Sequence, residues 1–288
     1  MKSIDYIELV VLAALWGGSF LFMRLGAPEF GPVALIALRT GIAMLTLLPA
    51  IVLMRKLGHI RGNALALLAL GIISTALPFT LLSWAVLYVS AGYASIINST
   101  ATIFTALIAW LWVNERLSLG GVSGILLGTL GVVVLALDRI EPGKIDLLPL
   151  FAGLVATLCY GIGTNYSKQK LAHVAPLVIA FGSQTGATLV LLPFALWLWP
   201  AQAPSADAWL AVAGLGVFCT GIAFILFFRL IARVGVNRAI SVTYLIPFFG
   251  VIWGMLFLDE VVTLYMLVGG GLILLGVGLT TGLIGTRR

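Results

Sequence analysis

Apolar residues run through this chain in long blocks, and polar residues gather in the short connections between them. Ten blocks can be read, at residues 6–25, 32–54, 64–88, 91–113, 120–137, 147–166, 176–199, 208–230, 239–258 and 265–283. Each is close to the ~20 residues an α-helix needs to cross the hydrocarbon layer. None shows the ten-residue alternation of a membrane β-barrel strand. The pattern predicts an all-α integral membrane protein with ten transmembrane helices. With connections this short, neighbouring spans must form antiparallel hairpins.

The pattern also repeats. Advancing residues 94–132 by 145 positions lays them, without a gap, on residues 239–277. Phe104 then meets Phe249, Glu115 meets Glu260, Gly124 meets Gly269 and Gly131 meets Gly276. The same offset pairs Gly71, Thr75 and Phe79 with Gly216, Thr220 and Phe224. An offset of 144 pairs Pro32 with Pro176 and Gly17 with Gly161. Self-similarity at this period marks a duplicated fold. The expected units are residues 1–137, holding spans one to five, and 147–288, holding six to ten, joined by 138–146. Five spans per unit is odd, so the second unit enters from the opposite side. Inverted repeats of this kind build many secondary transporters.

Composition agrees with the solvent that the pattern implies. The chain is 61% hydrophobic and 9% charged, against about 25% charged in soluble domains. The net charge of +6 would suggest a nucleic-acid partner in a soluble protein, but here the basic residues sit in loops and report orientation instead. With the N-terminus inside, the inner side holds Lys2, Arg55, Lys56, Arg61, Arg116, Lys168, Lys170, Arg229, Arg233, Arg238, Arg287 and Arg288. The outer side holds Arg24, Arg139 and Lys144. Both termini are therefore expected in the cytoplasm, with the chain multi-pass in the membrane. The start, residues 1–8, lacks the basic region of a signal peptide because Asp5 and Glu8 interrupt it. Cys159 and Cys219 lie in apolar blocks, so neither a disulfide nor a metal site is expected.

Polar residues at membrane depth should face protein or water. Spans five and ten have almost none. They carry Gly120, Gly124 and Gly128, and Gly269, Gly276 and Gly278, at spacings that let helices approach closely. Packing within the chain's own half is expected of them, with a homodimer contact as the alternative to a monomer. Spans one to four and six to nine carry the polar and aromatic residues. In span four, Ser95, Asn98, Thr102 and Thr105 fall on one helical face. Span seven offers Ser183, Gln184 and Thr188, and Pro78 and Pro247 mark kinks that could serve gating. Arg39 is the one basic residue well inside a span, and an ionisable residue there is a functional-site candidate. Every carboxylate sits at a span end or in a loop. A pathway without a deep carboxylate suits neutral or zwitterionic solutes better than organic cations.

The stretch Ala14-Leu15-Trp16-Gly17-Gly18-Ser19-Phe20, residues 32–39 and the duplicated segments resemble the drug/metabolite transporter superfamily, in its ten-span EamA-type branch. The likeness covers essentially the full length and is nearest to bacterial exporters of amino acids, aromatic ones included. It implies a central cavity from spans one to four and six to nine, with spans five and ten peripheral. Members often have proline midway along span four, where this chain has Thr102.

The expectation is an exporter of amino acids or similar small metabolites working by alternating access, with membrane lipid around it and no cofactor. The candidate cavity residues are Trp16, Ser19, Phe20, Arg39, Phe79, Trp84, Asn98, Thr102, Tyr160, Asn165 and Tyr244. A carrier for another metabolite, such as a nucleoside or sugar derivative, is the alternative. An intramembrane enzyme is remote, because His59 and His173 both lie in inner loops and no nucleophile–base pair is evident.

Overall fold

The computed structural model describes residues 2–54, 57–141 and 144–284. Arg55, Lys56, Arg287 and Arg288 of the orientation tally lie outside the described residues. Among the described residues, seven helices are long and apolar enough to span a membrane: α1 (Ser3–Leu53), α2 (Ala64–Ala85), α3 (Ala91–Val113), α4 (Leu119–Leu137), α5 (Leu148–Lys170), α6 (Pro176–Trp197) and α7 (Ala206–Val234). Two shorter apolar helices follow, α8 (Val242–Leu258) and α9 (Leu264–Thr280). Ile140–Glu141 and Lys144–Ile145 form a two-residue antiparallel ladder in the segment joining the halves, where sequence predicts only a loop.

α1 folds back on itself. Gly31 sits at φ 72°, ψ 156°, a region open essentially to glycine alone, and Pro32 after it has no N–H to continue the ladder. Residues 3–30 and 32–53 therefore form two arms. The exterior is apolar: Leu119 is 89% exposed and Trp197 81%, a surface that suits hydrocarbon and not water.

The duplication reaches the helix ends. Asn114 ends α3 and Asp259 ends α8, both left-handed at φ 56° and 51°. Short polar side chains tolerate that conformation. Ser118 then caps α4 by accepting from the Gly121 N–H, and Thr263 caps α9 by accepting from the Met266 N–H. A side-chain oxygen there satisfies an otherwise orphaned donor.

α4 and α9 pack on one another. A Cβ at Gly124 would come within 2.4 Å of the Gly276 carbonyl oxygen, and one at Gly131 within 2.6 Å of the Gly269 oxygen. This corrects the expectation that each glycine face packs within its own half. The two faces are complementary, and backbone-to-backbone approach across the halves is what their small residues permit.

Charged groups tie the ends of the bundle. At one end, Glu8 and Asp5 are each 5% exposed. Arg229 donates to Glu8 at 2.7 Å, while Arg233 reaches Asp5 at 3.0 Å and also contacts Glu8. Lys168 pairs with Glu115 at 2.5 Å. At the other end, Glu260 leaves the α8–α9 turn and crosses to the start of α3. It accepts from the Ala91 N–H at 2.6 Å and the Gly92 N–H at 3.1 Å. An anion there also meets the positive end of the helix dipole.

Two outcomes are expected. Gly131→Leu forces α4 off α9 and lowers stability by about 2 kcal/mol, read as a lower unfolding midpoint in detergent, whereas Leu130→Ala on the exposed face changes little. Glu260→Gln weakens the cap on α3 by about 1 kcal/mol, read as faster amide hydrogen exchange at residues 91 and 92 than in the wild type.

Candidate functional site

The central feature is a cavity of about 370 Å³ lined by both halves of the chain. The first arm of α1 contributes Trp16, Ser19, Phe20 and Met23, and the second arm contributes Arg39. α2 adds Ser74, Thr75, Phe79 and Leu82, and α3 adds Asn98. From the second half come Tyr160 and Thr164 on α5, Cys219, Thr220 and Phe224 on α7, and Thr243 and Ile246 on α8. α4, α6 and α9 supply no lining residue.

α2 and α7 reach the cavity through matching irregularities. Residues Ile72–Ala76 of α2 and Val217–Ile222 of α7 are π-helical, and they begin at equivalent positions of the repeat. Such segments widen the turn and leave the helix poorly bonded locally, which is why they recur at functional sites. Pro78 follows the first segment, but its counterpart Ala223 follows the second. Proline therefore does not explain the shared distortion. Thr75 and Thr220 occupy equivalent places in the two segments and are 3% and 1% exposed.

Arg39 is the electrostatic centre. It is 3% exposed. Its Nε donates to Thr220 Oγ1 at 3.0 Å, and Nη1 lies 3.8 Å from Met23 Sδ. Its guanidinium carbon stands 3.7 Å from the Phe79 ring centroid, close enough for a cation–π attraction. Phe79 in turn meets the edge of Tyr160 at 6.0 Å between centroids. Thr220 is itself fixed, because it donates to the Leu215 carbonyl five residues back at 2.8 Å. Nearby, the Ser19 hydroxyl is 5% exposed and lies beside the Cys219 thiol, with no oxygen or nitrogen partner among the described residues. No carboxylate lines the cavity.

Seven of the residues singled out from sequence line this space: Trp16, Ser19, Phe20, Arg39, Phe79, Asn98 and Tyr160. Four do not. Asn165 donates to the Thr105 and Gly161 carbonyls, at 3.0 and 2.9 Å, and so joins α5 to α3. Tyr244 turns to α9, donating to the Val277 carbonyl at 3.1 Å. Trp84 packs on Tyr88 with centroids 4.8 Å apart. Thr102 lies just past an interruption of α3 at Ser99–Thr100.

That interruption also corrects the continuous polar stripe expected along span four. Asn98 alone of the four reaches the cavity. Ser95 donates to the Gly92 carbonyl at 2.7 Å, and Thr105 donates to the Ala101 carbonyl at 2.7 Å. α6 departs from expectation in the same way. Ser183 bonds the Ala180 carbonyl at 2.9 Å, and Thr188 donates to Thr40 at 2.9 Å. These hydroxyls satisfy protein backbone or neighbours and not a pathway. Pro247 is buried inside α8, its carbonyl 3.4 Å from the Ser95 hydroxyl.

Met23, Cys219 and Thr220 were not legible as lining residues. The available signal was the repeat itself, which pairs Thr220 with Thr75 and Phe224 with Phe79.

Comparison with known proteins agrees with the architecture. The model of the EamA-like transporter family matches residues 5–137 and again 147–282. A probable terminal-alkyne amino-acid exporter of Streptantibioticus cattleyicolor is 28% identical, covering 97% of this chain and 94% of its own. A probable amino-acid metabolite efflux pump of Escherichia coli K12 is 23% identical, covering 96% and 94%. An uncharacterized transporter of Archaeoglobus fulgidus is 27% identical, covering 94% and 96%. A crystal structure 20% identical in sequence covers 98% of both chains at a TM-score of 0.66 and shares the fold. The protein is thus a multi-pass membrane transporter, not an enzyme, and the chain belongs to the EamA-like transporter family of the drug/metabolite transporter superfamily.

Proposed function

We propose that this transporter exports amino acids, aromatic and other neutral ones, or similar small metabolites across the inner membrane of a bacterium. One observation carries the reading. The cavity at the centre of the bundle combines a buried guanidinium, aromatic walls and the Asn98 amide. Its volume of about 370 Å³ falls within the range of small-ligand sites. Two relatives bear names that include amino-acid or amino-acid-metabolite export.

Counting the two arms of α1 separately gives ten spans, arranged as inverted units at residues 1–137 and 147–288 with 138–146 between them. The excess of basic residues at the end carrying residue 3 supports a cytoplasmic position for both termini. Alternating access then follows from motion of one unit against the other. Thr243 lines the cavity from the first turn of α8, near the cytoplasmic end. At the opposite end Phe30, Val86 and Ala91 are each at most 1% exposed, beneath the Glu260 cap. These placements support a cavity open toward the cytoplasm and closed at the opposite end.

Proteoliposomes loaded with unlabelled phenylalanine are expected to accumulate labelled phenylalanine by counterflow, and lack of flux for every amino acid tested overturns the proposal. Asn98→Ala should raise the half-saturation concentration about tenfold, as expected for losing a hydrogen bond to a charged ligand group. Thr102→Ala, off the cavity, should stay within about twofold of the wild type.

A further inference from the structure

The charge balance of the cavity is lopsided, and it bears on what the cavity holds. Arg39 is buried among apolar and aromatic groups, and among the described residues it has no ion-pair partner. Its recorded contacts use one Nε–H toward Thr220 and one Nη1–H toward sulfur, a weak acceptor. A guanidinium has five N–H donors, so most of its donor capacity is unused. Five acidic groups among the described residues are engaged elsewhere, and none lines the cavity. Glu8 and Asp5 hold Arg229 and Arg233, Glu115 holds Lys168, Asp146 holds Arg139 and Glu260 caps α3. A charge taken out of water and left uncompensated is costly, and at membrane depth it marks a site whose partner arrives from outside the chain. A carboxylate is the complementary shape, since it can take two parallel N–H bonds from one guanidinium.

The same inventory disfavours a second positive charge. An α-ammonium sits next to its own carboxylate, so docking that carboxylate on Arg39 holds the ammonium near the guanidinium. No acidic side chain lines the cavity to offset the repulsion. The Phe79 face that could have attracted a cation already carries Arg39. The other polar lining is neutral: the buried hydroxyl of Ser19 beside Cys219, the hydroxyls of Ser74, Thr75, Thr164 and Thr243, and the Asn98 amide, with the rings of Trp16 and Tyr160 around them.

We infer that the cavity selects a monocarboxylate anion with an apolar or aromatic body and an uncharged group where an amino acid carries its ammonium. N-acylated amino acids and 2-oxo acids are of this class. The inference deepens the export reading above and rests on its assignment of the cavity as the pathway.

The test measures counterflow into proteoliposomes for phenylalanine, N-acetylphenylalanine, phenylpyruvate, phenylalaninamide and 2-phenylethylamine, with thermal unfolding in detergent run against the same five compounds. Both acids should show half-saturation about tenfold or more below that of phenylalanine, and the two amines should not move. In Arg39→Gln that preference should fall to about twofold or less, with Arg39→Lys between. Should Arg39→Gln fail to assemble, the wild-type unfolding midpoint decides: N-acetylphenylalanine must raise it at concentrations where phenylalanine does not. Phenylalanine moving as well as or better than both acids overturns the charge selection and leaves amino-acid export standing. Flux of neither amino acids nor acids overturns the pathway itself.

Discussion

Hydrocarbon offers no hydrogen bonds, so each polar group carried into it must find a partner in the protein or face a water-filled space. That constraint decides where nearly every hydroxyl of this chain points. Thr46, Ser95, Thr105, Ser183 and Thr185 return to carbonyls three or four residues behind them. Thr100 and Thr157 meet at 2.9 Å and join α3 to α5. Once these are satisfied internally, few polar groups remain. Arg39 is the one with most capacity unspent, and the cavity lies beside it.

The two halves share a plan without sharing its details. Matched left-handed residues end α3 and α8, matched caps start α4 and α9, and matched π segments bend α2 and α7. The acidic residues after the left-handed caps have parted company. Glu260 binds backbone N–H groups of the other half, whereas Glu115 meets the exposed Lys168 ammonium. The first bond is made with a helix terminus whose donors have no other partner; the second is a surface ion pair worth little. Two ends built to one design are held with different strength.

The spans were legible from sequence because a run of twenty apolar residues has few other uses. The connections fell where the apolar blocks end, and the structure gives Gly31, Asn114 and Asp259 the positive-φ backbone that the turns there need. The site was legible only in part. Arg39, Asn98 and Tyr160 could be found because polar or amphipathic groups at depth are few and expensive. Asn165 and Tyr244 belong to the same chemical types yet bond carbonyls of neighbouring helices, and Thr102 is absent from the lining. A hydroxyl that bonds its own backbone and one that lines a cavity are the same letter, and only the break at Ser99–Thr100 and the neighbouring helices separate them. Thr220 was hidden for the opposite reason, since its meeting with Arg39 depends on a helical turn wider than residue spacing assumes. The glycine faces were recognised as contact surfaces, but spacing alone cannot say which face meets which.

The paired π segments also carry a meaning for how such a chain can change. A π turn accommodates a residue more than an α turn does, and in an α-helix each residue turns the axis by about 100°. Loss of one residue from 72–76 or 217–222 is therefore absorbed where it occurs: the wide turn closes to an α turn, the helix beyond keeps its facing, and Phe79 and Phe224 stay at the cavity. The same loss from an α-helical stretch would turn everything beyond it by about 100°. Single-residue deletion, which ruins most packed helices, has in α2 and α7 one place each where the fold can take it up.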